Sequence, residues 1–174
     1  SSHDRPVDIL HDGFDCVIRT GASPEDGVIA RPLGKLTVVN CASPHYLTRF
    51  GYPQSPDDLT SHAIVRYTPH LGVHPLGFEV ASVNGVQWFK SGGMLTVNSR
   101  ENYLAAGLAG LGIIQIPRIA VREALRAGRL IEVLPGYRAE PLSLSLIYPQ
   151  RRELSRRVNL FMQWLAGVMK EYLD

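Results

Sequence analysis

The chain contains 174 residues, of which 45% are hydrophobic, and its formal net charge is +2. These values are typical of a globular protein with one or two domains. No run approaches the roughly 18 apolar residues of a membrane span, and the first residues lack the apolar core of an export signal. We therefore expect a cytoplasmic protein. Its basic residues are scattered, so the sequence does not indicate a DNA-binding face.

The first third of the chain is predicted to alternate between strands and short helices. A short helix is expected before Gly13, and the runs FDCVIR, GVIARPL and KLTVVNCA are typical of strands. The next helix has Ser43 as its N-cap, Pro44 as its first residue and Gly51 at its exit. The segment SPDDLTSH repeats this capping pattern and predicts a single helical turn.

The middle of the chain is predicted to be rich in strands. AIVRY is a strand, and the Pro- and Gly-rich residues 68–77 form a loop. Asn84-Gly85 lies between two alternating runs and predicts a β-hairpin. A further strand, MLTVNS, precedes a helix that is capped by Asn98 or Ser99.

Three glycines, Gly107, Gly110 and Gly112, follow in the segment ENYLAAGLAGLGIIQIP. In a nucleotide-binding fold, such glycines lie between a strand and the start of a helix, where phosphate meets unbonded N–H groups. Here they lie at and beyond the end of a helix, next to the negative end of its dipole. They are predicted to supply a C-cap turn and a close helix–strand approach, and not a phosphate loop.

The last third predicts two more helices. Pro117 begins the first and Gly128 ends it, after which RLIEVLPG and LSLSLIY are typical of strands. Ser155 caps a C-terminal helix with an apolar stripe that is expected to be buried, so that Phe161→Ala would cost about 3–5 kcal/mol. The stripe consists of Val158, Phe161, Met162, Leu165, Val168, Met169 and Tyr172. The alternation of strands and helices favours an α/β fold with parallel sheets.

The cysteines and one histidine pair give little support for catalysis or metal binding. Cys16 and Cys41 lie in apolar runs, where a buried thiol is the simplest interpretation. His70 and His74 have a spacing that suits zinc on a helix, but the flanking prolines place them in a loop without an evident third ligand. No metal site is therefore expected.

The remaining charged and polar clusters are expected to serve structure. His45 and His62 lie in polar segments and are predicted to be exposed. Asp57 and Asp58 fall in a first helical turn, where carboxylates complement the dipole. Four arginines near the last helix could bind an anion, although a solvated face is the more usual role of such a run; they are Arg151, Arg152, Arg156 and Arg157.

Two polar triplets that end strands are candidate ligand-binding residues. The candidates are Arg19, Thr20, Gly21, Asn98, Ser99 and Arg100. The first triplet lies at the C-terminal end of the strand FDCVIR, interpreted as buried, and the second follows MLTV. Ligands of open α/β sheets bind beyond the carboxyl ends of strands. If the two triplets face each other across a cleft, Thr20 and Ser99 would donate hydroxyl hydrogen bonds, and the helix start would favour a carboxylate. The alternative is an ordinary turn and capping role.

Several segments together resemble the effector-binding domain of LysR-type transcriptional regulators. They occur in the family's order and cover nearly the whole chain. The most specific are CASPHYL…GYPQSPDDLTSH and AAGLAGLGI…P; the others are DRPVDILHDGFDCVIRTG, ALRAGRLIEVLPGY and LIYPQRRELSRRVNLFMQWL.

The resemblance implies two Rossmann-like subdomains of the periplasmic-binding-protein type, joined by two crossing strands. The first would comprise residues 1–33 and 142–174, with FDCVIR and LSLSLIY as neighbours in one sheet, and the second would comprise residues 34–141. A small-molecule effector would lie in the cleft between them, and the domain would self-associate as a dimer or tetramer. The family implies no cofactor and no catalytic residue.

Two parts of the family pattern have no counterpart in this sequence. The helix-turn-helix and linker helix that normally precede the domain are absent, so DNA would be contacted only through a part outside this chain. The first strand–helix–strand of the first subdomain is also missing. Two alternatives remain open: a solute-binding protein of a transport system, which has the same architecture, and a small α/β enzyme, for which no nucleophile, base or metal set is evident.

Overall fold

A computed structural model describes residues 9–21, 26–68, 77–150 and 154–173. The strands in these ranges are β1 (Val17–Thr20), β2 (Val28–Leu36), β3 (Val38–Ala42), β4 (Ala63–Tyr67), β5 (Phe78–Ser82), β6 (Gly85–Phe89), β7 (Gly92–Val97), β8 (Ile114–Pro117), β9 (Ile131–Glu132) and β10 (Leu142–Pro149). The α-helices are α1 (Pro44–Phe50), α2 (Arg100–Leu108), α3 (Arg118–Arg126) and α4 (Arg156–Met169), and a 3-10 helix spans Pro56–Ser61. No helix of the described ranges has the length and apolarity needed to cross a membrane.

The helix starts follow the capping chemistry of the sequence. The Ser43 hydroxyl accepts a hydrogen bond from Tyr46 N at 3.2 Å, and the chain leaves α1 at Gly51 with φ +79°. The 3-10 helix begins with the Asp58 carboxylate accepting from Ser55 N at 3.0 Å. These predicted helix starts are confirmed. Most of the helix expected before Gly13 and most of the 68–77 loop lie outside the described residues, and residues 9–12 form turns and a bend.

The predicted hairpin is confirmed with a shifted turn. β5 and β6 pair antiparallel, and Ser82 lies opposite Gly85 at the turn end of the ladder. The two turn residues are therefore Val83 and Asn84, one position earlier than the Asn84-Gly85 pair. Gly85 is the first residue of β6 and has φ +105°, which a glycine adopts without steric cost.

The three glycines lie at and beyond the C-terminal end of α2, as predicted: Gly107 is in its last turn, and Gly110 and Gly112 follow it. Gly110 turns the chain out of the helix with φ +77°. A Cβ on Gly107 would lie 2.6 Å from Ile114 Cδ1, and a Cβ on Gly112 would lie 2.6 Å from Ala63 O. The glycines therefore allow α2 to approach β8, and the chain before β8 to approach β4.

The chain forms two compact units. The central unit is Val38–Glu140, and the terminal unit contains the described parts of Pro6–Thr37 and Pro141–Asp174. Within the described residues, the chain passes from one unit to the other at residues 37–38 and again at 140–141. The sequence-based boundaries at 34 and 141 remain a prediction about the domains.

Most strand pairs are antiparallel, contrary to the parallel sheets expected from the alternation of elements. In the terminal unit, β10 lies between β1 and β2 and is antiparallel to both, which confirms that FDCVIR and LSLSLIY are neighbours. In the central unit, β3 lies between β8 and β9, again antiparallel. Only β4 and β7, among the named pairs of the described chain, are parallel. Alternation predicted the fold class but not the strand directions, because those depend on which strands pair.

Two apolar clusters on opposite faces of the β3–β8 pair form the core of the central unit. The first lies against α2 and α3 and consists of Val39, Cys41, Val65, Tyr103, Ala106, Ile114, Ile116, Val121, Ala124 and Leu130. The second lies against α1 and consists of Ala42, Tyr46, Leu47, Leu59, Ile64, Phe78, Val80, Ile113, Val133 and Leu134. Successive residues of a strand point to opposite faces, and Ile113 and Ile114 accordingly belong to different clusters.

The apolar stripe of α4 is only partly buried, so its predicted burial is wrong in part. Met162 is the only residue of α4 that is fully buried; Val158, Leu165 and Met169 are half-buried, and Phe161 is 47% exposed. Val168 and Tyr172 are exposed as well. Periodicity identified the apolar face of the helix correctly, but it did not determine how much of that face the terminal unit covers.

Candidate functional site

The start of α2 places Asn98, Ser99 and Arg100 directly after β7. Ser99 is the N-cap: its buried hydroxyl accepts from Asn102 N at 3.5 Å, and its carbonyl accepts from Tyr103 N at 2.9 Å. Asn98 is half-buried and Arg100 is exposed. The N–H groups of the first helical turn and the helix dipole produce a partial positive charge at this point. The capping role is therefore present, and it leaves a helix end that is suited to an anionic group.

The neighbouring parallel strand brings two further residues to this place. Tyr67, at the end of β4, lies opposite Val97, and Thr68 N donates to Val97 O at 2.9 Å. Thr68 is buried, and the ring centroids of Tyr67 and Tyr103 are 5.8 Å apart. The carboxyl ends of two parallel strands thus meet where α2 begins, which is the usual position of ligands in α/β sheets.

Sequence reasoning did not include Tyr67 and Thr68. The rule that selected the residues after β7 could have found them, because AIVRYT is also a strand followed by a loop. What the sequence did not reveal is that β4 and β7 are adjacent and parallel. With both strand ends considered, the candidate surface of the central unit consists of Tyr67, Thr68, Asn98, Ser99 and Arg100.

Arg19, Thr20 and Gly21 lie in the terminal unit, at the end of β1. Thr20 is paired with Leu144, and Gly21 N donates to Ser143 O at 2.9 Å. The strand is not buried as expected: it lies at the edge of its sheet and is half-exposed, with Ile18 43% exposed. Because the two triplets belong to different units, a site that includes both remains a prediction.

An open groove of about 520 Å³ in the terminal unit contains none of the six predicted residues. It lies between the segment before β1 and the start of α4 and is lined by Phe14, Asp15, Cys16, Ser155, Arg157, Val158 and Phe161. Its aromatic and aliphatic side chains continue the exposed apolar face of α4. Of the four arginines near the last helix, Arg156 and Arg157 are exposed, and Arg157 lines the groove. Arg151 and Arg152 lie outside the described residues.

His62 is buried, contrary to the predicted exposure, whereas His45 is exposed as expected. The Tyr46 hydroxyl lies 3.0 Å from His62 Nδ1 and also accepts from Ala63 N at 2.9 Å. It can donate to Nδ1 only while that nitrogen has no proton. Burial lowers the pKa of His62 below its ordinary value, against a smaller opposing effect of Asp58. The polar sequence around His62 gave no indication that Tyr46 covers it.

The lowered pKa of His62 predicts a pH-dependent stability. Below the ordinary histidine pKa of about 6.5, the unfolded chain binds a proton that the folded chain does not. The free energy of unfolding should therefore fall as the pH decreases from that value towards the lower folded-state pKa. His62→Gln should flatten this part of a urea-denaturation pH profile, and His45→Gln controls for loss of an exposed imidazole. An unchanged slope in His62→Gln would contradict the prediction.

Neither cysteine resembles a reactive thiol. Cys41 is fully buried, and its burial, with a smaller effect of Glu132, raises its pKa to about 12. Burial and Asp15 also raise the pKa of the half-buried Cys16. The described residues contain no group of three potential metal ligands. His70 and His74 lie outside them.

The described chain thus has one continuous α/β unit and one built from both ends of the chain, which is the periplasmic-binding-protein type of fold found in LysR regulatory domains. Residues 1–170 match the LysR substrate binding domain family, and the chain belongs to that family. The resemblance seen in the sequence is therefore confirmed.

Individual relatives agree with this assignment. Over 174 residues the chain is 97% identical to the HTH-type transcriptional regulator YhjC of Escherichia coli (strain K12), covering 100% of this chain and 58% of that protein. It is 34% identical to an HTH-type transcriptional repressor of Pseudomonas aeruginosa (strain UCBPP-PA14), covering 98% of this chain and 54% of that protein. The regulatory domain of CrgA, a LysR-type regulator from Neisseria meningitidis, matches with a TM-score of 0.79 at 24% identity, covering 92% of this chain and 78% of that chain. The chain spans about half the length of the curated relatives it matches, and these are regulators, not transport proteins.

Proposed function

We propose that this chain is the effector-sensing part of a bacterial transcription regulator and binds a small carboxylate at the start of α2. The single observation that supports this most is the meeting of the β4 and β7 carboxyl ends at the N-terminus of α2. There the polar residues Thr68 and Asn98 directly follow the paired residues Tyr67 and Val97. The partial positive charge of a helix start contributes about 0.3–1 kcal/mol to a nearby anion.

The terminal unit is proposed to supply the other wall of the effector site. Thr20 ends β1 as a half-buried polar residue, and the exposed Gly21 follows it. A hydrogen bond donated by the Thr20 hydroxyl would complement the carboxylate. Regulation of transcription would require contact with DNA through a helix-turn-helix domain, as the names of the relatives suggest. Self-association as a dimer or tetramer, location in the cytoplasm and lack of enzymatic activity belong to the same proposal.

The effector site is tested by ligand titration of matched variants. A panel of small carboxylic acids is first screened by thermal shift, and the strongest ligand is then titrated calorimetrically against wild type, Thr20→Val and Ser99→Ala. Loss of one hydrogen bond to a charged group should weaken binding on the order of tenfold in each variant. If both variants retain wild-type affinity, the proposed site is wrong, whatever their stability.

Ser155→Ala provides the control for Ser99→Ala. Ser155 caps α4 in the same way, with its hydroxyl accepting from Val158 N at 3.3 Å, and it lies outside the proposed site. Both substitutions should lower the free energy of unfolding by about 1 kcal/mol, because each removes an N-cap. Only Ser99→Ala should also weaken the binding of the ligand. Equal affinities in the two variants would assign Ser99 to capping alone.

A further inference from the structure

Buried hydrogen bonds connect α2 to β8 through a tyrosine hydroxyl. Tyr103 Oη accepts from Gln115 N at 2.8 Å and donates to Gln115 O at 3.2 Å. The ring of Tyr103 is buried, and this burial raises the pKa of its hydroxyl above the usual range, so the group keeps its proton. Two hydrogen bonds to the Tyr103 hydroxyl therefore connect α2 to the backbone of Gln115.

The side chain of Gln115 extends this connection to two other strands. Its Nε2 donates to Asn40 Oδ1 on β3 at 2.9 Å and to Glu79 O on β5 at 2.8 Å. Its Oε1 accepts from Glu79 N at 2.9 Å. Both amide hydrogens and the amide oxygen of Gln115 are thus engaged, which fixes the orientation of this side chain.

Asn40 and Glu79 in turn hold residues 133–140, which we call the exit segment because it leads from the central unit to Pro141. Asn40 Nδ2 donates to Leu134 O at 3.2 Å and to Tyr137 O at 2.8 Å, and the Glu79 carboxylate accepts from Glu140 N at 3.0 Å. The exit segment contains neither helix nor strand, and Leu134 has φ +48°, a conformation that leucine rarely adopts. These side-chain hydrogen bonds, together with backbone bonds from Val133 N to Asn40 O and from Ala81 N to Arg138 O, therefore hold the exit segment in place.

We infer that Gln115 is a positioning residue that couples the start of α2 to the orientation of the exit segment. A ligand that displaces α2 moves the Tyr103 hydroxyl, and the bonds of Gln115 transmit this displacement to Asn40 and Glu79. The path of the exit segment, through which the chain leaves the central unit, then changes. The inference rests on the proposed effector site, but the coupling itself belongs to the protein without ligand and can be measured there.

Hydrogen exchange of the unliganded chain tests this coupling in Tyr103→Phe. The amides of Val133 and Glu140, which are bonded to Asn40 O and to the Glu79 carboxylate, should exchange roughly five- to tenfold faster, the factor that corresponds to loss of one hydrogen bond. The control is Tyr46→Phe, which removes a buried hydroxyl bonded to His62 and Ala63 in the same unit. It should leave both amides at wild-type rates.

A second variant separates the bonding of Gln115 from its packing. In Gln115→Glu at neutral pH, the carboxylate cannot donate to Asn40 or Glu79, so the Val133 and Glu140 amides should exchange faster than in wild type at the same pH. Below the pKa of the introduced carboxyl group, its O–H can again donate one hydrogen bond. The ratio of the variant's exchange rates to those of wild type should then decrease. Two results would overturn the inference. One is a rate ratio for Gln115→Glu that does not depend on pH; the other is faster exchange of the Gln115 amide alone in Tyr103→Phe. Neither result affects the proposed effector site, because no ligand is present. If Gln115→Glu does not fold, Tyr103→Phe with its control decides.

Discussion

Replacing Phe78 by alanine is expected to lower the free energy of unfolding by about 3–5 kcal/mol. Phe78 is fully buried at the start of β5, in the cluster that lies against α1. Truncation removes the ring from the cluster that also contains Val80 and Ile113 and leaves a cavity that the close-packed cluster fills only in part. Urea denaturation followed by tryptophan fluorescence measures the change.

Phe161→Ala is the control for this prediction, because it makes the same chemical change at an exposed position. Phe161 is 47% exposed on α4 and contacts Trp164 at a ring-centroid distance of 5.8 Å. Its truncation should cost less than about 1 kcal/mol, well below the value expected from the sequence. A loss as large as that of Phe78→Ala would mean that the face of α4 is covered in solution.

Gly112→Ala is expected to cost about 2–4 kcal/mol through strain and steric overlap. The added Cβ would lie 2.6 Å from Ala63 O, an oxygen that accepts a hydrogen bond from Ile113 N at 2.9 Å. Gly112 also has φ +159°, at the edge of the range that glycine adopts more readily than other residues. The chain before β8 would have to separate from β4, and the bond from Val65 N to Ile113 O at 3.0 Å would weaken with it.

A second glycine provides the opposite expectation. Gly167 lies within α4, and a Cβ built on it meets no atom within 4 Å. Because glycine is unfavourable inside a helix, Gly167→Ala should raise the free energy of unfolding by about 0.5–1 kcal/mol. In thermal melts, Gly112→Ala should lower the melting temperature and Gly167→Ala should raise it. An unchanged melting temperature in Gly112→Ala would contradict the close approach of Gly112 to Ala63.

Local chemistry made the helix ends and the hairpin predictable. A serine hydroxyl satisfies N–H groups of the first turn wherever it occurs, so Ser43 and Ser155 indicate helix starts without knowledge of the rest of the fold. The position of Gly107, Gly110 and Gly112 relative to α2 was predictable for the same reason. The pairing of β1 with β10 followed from the family resemblance and not from any local signal.

Features that depend on distant contacts were not predictable. The burial of His62 arises from Tyr46, which is far from it in sequence, and the exposure of Phe161 depends on what lies against α4. The candidate site shows the same limit: the cap at Ser99 was predicted, but Tyr67 and Thr68 join it only because β4 and β7 are parallel neighbours. Helical and strand periodicity describe one element at a time and contain no information on such neighbours.

The position of β10 between β1 and β2 has a consequence for biosynthesis. Among the described strands, β1 and β2 do not pair with each other, so the ladders that each of them forms with β10 can assemble only after β10 has been synthesised. Roughly a hundred residues separate β2 from β10, and synthesis at about 5–20 residues per second makes this delay on the order of ten seconds. The central unit is continuous in sequence and can fold during that interval. We therefore expect the ladders of β10 with β1 and β2 to form after the central unit during synthesis.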